Sequence, residues 1–162
     1  MQEHLLNYFT AEKQESLFFI LVGAAAIVVS IFLWKNESSY KPMIYPLIAI
    51  ALIQIIVGGT IYFRTDSQIA TLSKQFQEHP AQYRTEETAR MTTVNNNFTF
   101  YKYIEITLLS IGIILTFAVS RSNDWYAVGI GLIIQSGLML VMDLFAERRA
   151  HEYVEKIQEL IQ

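Results

Sequence analysis

The sequence predicts an all-α membrane protein, four transmembrane helices in an up-down-up-down bundle whose helices extend into the cytoplasm. Four apolar runs, over 16–34, 41–63, 98–119 and 125–145, each meet the roughly 20-residue length that a bilayer-spanning helix requires. Between and beyond these runs apolar residues recur at helical spacing, and helix breakers are scarce. The chain has 162 residues, 52% of them hydrophobic, which leaves too little outside the spans for a separate soluble domain of usual size. A single domain over 1–162 is therefore expected.

The first helix is expected over about 3–34. Leu5, Leu6 and Phe9 form a short apolar arm ahead of its span. Glu3, Glu12 and Glu15 precede the span where a cleavable leader would carry basic residues, so the segment reads as a retained span. The second helix, about 42–78, continues past its span through Ile69, Leu72 and Phe76 and stops at His79-Pro80, where the proline ring ends the pattern. In the third, about 81–119, Met91, Val94, Phe98, Tyr101, Glu105, Leu108 and Gly112 follow one another at steps of three and four, one face running from water into lipid. The fourth, about 124–161, carries its face on through Ala150, Tyr153, Val154, Ile157 and Leu160. The extensions over 3–15, 64–97 and 146–162 would then project about 20–25 Å beyond the bilayer at 1.5 Å per residue.

Charge sets the orientation. Nine of the twelve Lys and Arg residues fall on the side that holds both termini and the Pro80 turn; only Lys35, Lys41 and Arg121 fall on the other. By the positive-inside rule both termini are cytoplasmic. Trp34, Tyr40, Tyr45, Trp125 and Tyr126 would ring the outer face, and Tyr62, Phe63, Tyr101 and Tyr103 the inner one, at the headgroup level that amphipathic rings prefer. The net charge of −3 argues against a nucleic-acid partner, because binding phosphate needs a basic patch. The sequence has no cysteine, so disulfides, thiolate metal sites and thiol catalysis are excluded.

Polar residues at or inside the spans are the candidate site, since an ionisable group at the centre of a membrane helix costs about 2.5–3.5 kcal/mol to insert. Asp143, Glu147 and His151 follow at steps of four on the fourth helix, with Glu12 and Glu15 on the first and Glu105 on the third at similar height. Arg64, Lys102 and Arg148 are the available cation partners. Carboxylates from three helices with one imidazole can hold a divalent metal ion, or exchange protons, or stand as a collar of ion pairs. Gln54 and Gln135 lie about nine residues inside the inner boundaries of their spans, and an interhelical amide pair is expected there. Gly23, Ala24, Ala25, Ala26, Gly58, Gly59 and Gly137 are small enough to let helices approach closely.

Neither a phosphate-binding Gly-rich loop nor a Ser/His/Asp set is present in the sequence. Three functions fit these features: a non-catalytic interaction or scaffold module of the lipid bilayer that uses its cytoplasmic helices to bind a protein partner or further copies of itself; a small ion- or metal-binding or transport protein using the carboxylate and His band; and a membrane enzyme acting on a lipid-soluble substrate. The orientation is directly testable. Reporter fusions at Pro80 and Gln162 should signal from the cytoplasm and those at Ser38 and Asn123 from outside; the opposite pattern would invert the assignment.

Overall fold

A computed structural model describes residues 2–36 and 38–159. Four long helices account for nearly all of them: α1 (Gln2–Lys35), α2 (Ile44–Glu78), α3 (Pro80–Ala118) and α4 (Asp124–Glu159), with one 3₁₀ turn, Lys41–Met43, leading into α2. All four are long and apolar enough to cross a membrane. At about 1.5 Å per residue they are rods of roughly 50–60 Å, against a hydrocarbon core of about 30 Å. Residues 160–162, which include the expected end of the fourth helix, lie outside the described part.

Local chemistry explains where each helix starts and stops. Pro42 opens the 3₁₀ turn, and Pro46 sits in the first turn of α2, where its missing N–H leaves no intrahelical bond unmade. His79 closes α2 with its N–H on the Gln75 carbonyl, and Pro80 begins α3 at once. α3 ends where Val119 turns extended. Asn123 caps α4, its side-chain oxygen accepting from the Trp125 N–H at 2.9 Å.

Packing divides the molecule into two hairpins, α1 on α2 and α3 on α4, each pair in far closer contact than either hairpin with the other. Within the apolar halves the close approach is made by glycine. A β-carbon on Gly23 would lie 2.9 Å from the Ala51 carbonyl oxygen, and one on Gly58 would lie 2.7 Å from that of Ser16. Gly112 and Gly129 face each other, a β-carbon on either meeting the other's carbonyl oxygen at 2.8–2.9 Å. Gly59 and Gly137, expected to serve the same purpose, have open space beside them. Side chains such as Phe63, Ile114, Phe117 and Phe145 point outward from these halves, as suits a surface against lipid.

At the end that holds the termini and the His79-Pro80 turn, here called the polar end, all four helices share one core. Leu5, Tyr8 and Phe9 of α1 pack with Tyr83 and Met91 of α3 and with Ala150, Tyr153 and Ile157 of α4, while Ile69, Leu72 and Phe76 of α2 close the fourth side. The expected α3 face shifts by one residue at its midpoint. Tyr101 is exposed and Lys102 takes the inward position, because the buried positions Tyr83, Glu87 and Met91 set a register that steps through Phe98 to Lys102 and Glu105.

The glycines provide an internal comparison. Gly112→Ala and Gly129→Ala should each destabilise the folded protein by about 1–3 kcal/mol, the range for overpacking against an unyielding backbone. Gly59→Ala and Gly137→Ala should be neutral or stabilising by up to about 1 kcal/mol through helix propensity. Thermal unfolding in detergent measures all four.

Candidate functional site

Three polar layers cross the bundle, and each joins different helices. The layer nearest the polar end is built on Glu87, which is 1% exposed. Arg90, one turn further along α3, donates from Nε and Nη2 to both Glu87 oxygens at 2.7 Å. The Tyr153 hydroxyl of α4 adds a third bond to Glu87 at 3.1 Å and lies 2.8 Å from the Tyr83 hydroxyl. Tyr8 of α1 stacks on Tyr153, ring centroids 4.4 Å apart and planes within 8°, and the Arg90 guanidinium lies over the Phe9 ring at 5.3 Å. The buried carboxylate is thus fully bonded while its partners hold α1 and α4 against α3.

Titration behaviour follows the burial. Burial pushes the Tyr83 phenol up to about 12, and it carries the Tyr8 and Tyr153 phenols higher still. For Arg90, burial works against the charge, but the hydrogen bonds and field of Glu87 outweigh it and hold the guanidinium more firmly protonated than usual.

The second layer is a set of ion pairs between neighbouring helices. Glu12 of α1 lies 3.5 Å from Arg64 of α2, and Lys13 meets Asp66 at 2.6 Å. Glu15 of α1 pairs with Arg149 of α4 through two parallel bonds, and Lys102 of α3 grips both oxygens of Glu147 of α4 at 2.5–2.7 Å. Burial raises the Glu12 carboxyl above its ordinary range despite Arg64, Arg90 and Arg149 nearby.

The third layer lies within the spans. Glu105 is 2% exposed, and among the described residues no N–H or cationic donor reaches its carboxylate oxygens. Asp143 of α4 faces it across the seam within hydrogen-bond reach, so the two carboxyls can share a proton, and Lys102 adds a nearby positive charge. Farther along, Gln54 and Gln135 meet in the interior: Gln54 Nε2 reaches Gln135 Oε1 at 3.5 Å, and Gln135 Nε2 reaches the Leu47 carbonyl at the same distance. These are long bonds, and Gln54 Oε1 has no partner.

Of the residues expected in one polar cluster, Asp143 faces Glu105 and lies within the fields of Glu15 and Glu147, and Glu12 and Glu15 both stand near Arg149, whereas His151 stands apart. Each carboxylate of the second layer has its own cation, and His151 is exposed, its Nδ1 on the Glu147 carbonyl of its own helix. Steps of four on a helix drift by about 40° each, so two steps carry the stripe from the α3 seam at Asp143 to solvent at His151. Arg148 also lies outside, bonded to Glu152 at 3.1 Å, and its neighbour Arg149 takes the inward position. Among the described residues no group of three or more His, Asp or Glu side chains able to hold a metal ion is found, and the carboxylates of the second layer stand as ion pairs.

Sequence reasoning missed Tyr83, Glu87 and Arg90 altogether. Their signal was present, since the inward stripe of α3 traced back from Met91 in steps of four passes through Glu87 and Tyr83. Four helices long and apolar enough to cross a membrane, packed around one core at the polar end, define a multi-pass membrane helical bundle. Comparison with family models, with curated proteins and with solved structures returned no match.

Glu87→Ala should destabilise the bundle by about 2–4 kcal/mol, because it takes the carboxylate from a partly buried guanidinium and leaves the Tyr153 hydroxyl one partner short, whereas Tyr83→Phe should cost only about 1 kcal/mol. Glu12 gives a dependence on pH. The folded state binds its proton more tightly than the unfolded chain does, so stability falls as pH rises from the ordinary carboxyl range through the raised value and levels off above it. Melting temperatures of the wild type and Glu12→Gln across mildly acidic to neutral pH should show a downward slope that is weaker in the variant; parallel curves would refute it.

Proposed function

We propose that this protein is a non-catalytic interaction module of the membrane. Its spans fix it in the bilayer with both termini and the His79-Pro80 turn in the cytoplasm, and its helical extensions present a platform to a protein partner or to further copies of the chain. One observation carries this reading: all four extensions contribute to a single core around Tyr8, Tyr83 and Tyr153. Four separate helix ends would offer a binding partner mobile surfaces. A shared core with a buried, fully bonded ion pair offers one preorganised face, and preorganisation lowers the entropy that binding must overcome.

A second reading, proton or monovalent-cation handling, is favoured by Glu105. Its carboxyl is buried against that of Asp143 with no N–H or cationic donor among the described residues, and a proton shared by the two or a small cation would offset their repulsion.

Photocrosslinking in intact membranes tests the first reading. Photoreactive residues at the exposed positions Lys74, Thr85 and Glu152 should give discrete protein adducts that Glu87→Ala abolishes, while one at the exposed apolar position Phe117 should crosslink lipid. Absence of adducts from all three platform positions would refute the docking role. Flux into proteoliposomes that Glu105→Gln removes, with the melting temperature unchanged, would establish the second reading in its place.

A further inference from the structure

Opposite the polar end the helices enclose a cleft of about 780 Å³, within the size range of ligand sites. The start of α2 forms its floor with Ile44 and Ile48, the end of α1 one wall with Ile31, and the start of α4 the other with Val128. The cleft exists because α2 holds α1 and α4 apart. On one side Gly23 of α1 rests on Ala51; on the other Gly131 of α4 lies so close to α2 that a β-carbon there would come 2.7 Å from the Pro46 ring. At the polar end α1 and α4 touch directly through Tyr8–Tyr153 and Glu15–Arg149, so the two helices diverge towards this end.

Two further features point to what fills it. The rim is aromatic: Trp34, Tyr45 and Trp125 are all more than half exposed, and such rings settle at the headgroup level of a bilayer. Lys41 and Asp124 line the same cleft, carry opposite charges on different elements, and form no ion pair among the described residues. An apolar trough ending in a separated cation and anion, at the depth of the headgroups, matches a molecule with a hydrocarbon chain and a zwitterionic head. A packing helix would match the trough without using the charges.

We infer that the cleft binds one zwitterionic phospholipid, its phosphate on Lys41, its amine on Asp124 and an acyl chain along Ile31, Ile48 and Val128. The inference rests on the four helices crossing a bilayer and is independent of the docking role.

The protein carries its own probe. Its two tryptophans are Trp34 and Trp125, both at the cleft, so intrinsic fluorescence reports on this site. The purified chain in detergent micelles is titrated with phosphatidylethanolamine carrying dibrominated chains, a contact quencher. Quenching should saturate at about one lipid per chain, with phosphatidylglycerol of the same chains binding more weakly. Lys41→Ala should weaken the saturable binding about tenfold, the scale of one charge-assisted contact. Asp124→Asn should erase the preference between the two lipids, and Val128→Phe, which fills the trough, should remove saturation while leaving the helical circular dichroism intact. Quenching that only tracks the lipid fraction of the micelle would overturn the inference. So would saturation indifferent to both Lys41→Ala and Asp124→Asn, or a doubled protein mass by light scattering with lipid excluded. A chain that stays in the aqueous phase on detergent phase separation would overturn the span reading itself.

Discussion

The buried Glu87–Arg90 pair is the contact on which the rest of the arrangement depends. Charges leave water at a cost of several kcal/mol each, and the attraction between them offsets this only when every lone pair and proton is matched. Here the matching draws on other helices: Tyr153 from α4 bonds the carboxylate, Tyr83 bonds Tyr153, and Phe9 from α1 lies under the guanidinium. Moving α1 or α4 away would leave the pair only partly compensated. The ion pair therefore contributes less as an attraction than as a requirement that three helices stay in register. Exposed pairs within one helix, such as Arg148–Glu152 and Lys156–Glu159, impose no such requirement and are worth about 0–1 kcal/mol.

Cohesion is organised differently in the two halves of the molecule. Beyond the spans, a water-facing bundle buries large side chains in the ordinary way, with Phe9, Tyr83, Met91 and Ile157 wholly inside. Within the spans lipid is as apolar as any side chain, so burial offers little and close backbone approach replaces it. The reciprocal fit of Gly112 against Gly129 does for α3 and α4 what the tyrosines do at the other end, by contact distance instead of area. Glu105 sits between these regimes, buried at 2% exposure with another carboxyl, Asp143, as the group facing it.

The helices were legible in the sequence because their signals are one-dimensional. A run of apolar residues, Pro80 after His79 and a three-and-four spacing each act along the chain, and the helix limits follow within a few residues. The meeting of Gln54 with Gln135 was legible for a related reason, since depth in a bilayer can be counted from a boundary. The pairing of charges was not. Whether Arg148 or Arg149 turns inward depends on a rotation of about 100°, and the sequence places both beside the same carboxylates. The stripe through Asp143, Glu147 and His151 looked straight over one step and had left the interface after two. Glu87 was hidden by its type: an acid in a polar stretch reads as solvated until the aromatic residues one turn away on its own helix and on a distant one are seen together.

The partition into two hairpins also bears on how such a chain comes to exist. Each pair carries its own glycine contacts, Gly23 and Gly58 in the first and Gly112 with Gly129 in the second, so each can settle in the bilayer with its internal fit complete. What remains is to join two halves, and the joints between them lie both within the apolar spans, Gly131 against Pro46 and Gln54 with Gln135, and beyond them, Tyr8 on Tyr153 and Glu15 on Arg149. Joining the hairpins then draws on two kinds of contact, close backbone approach where the helices are apolar and aromatic and ionic contact at the polar end. A defect at Gly112 would act inside one hairpin, whereas one at Glu87 would release Arg90 from its partner and reach the other hairpin through Phe9.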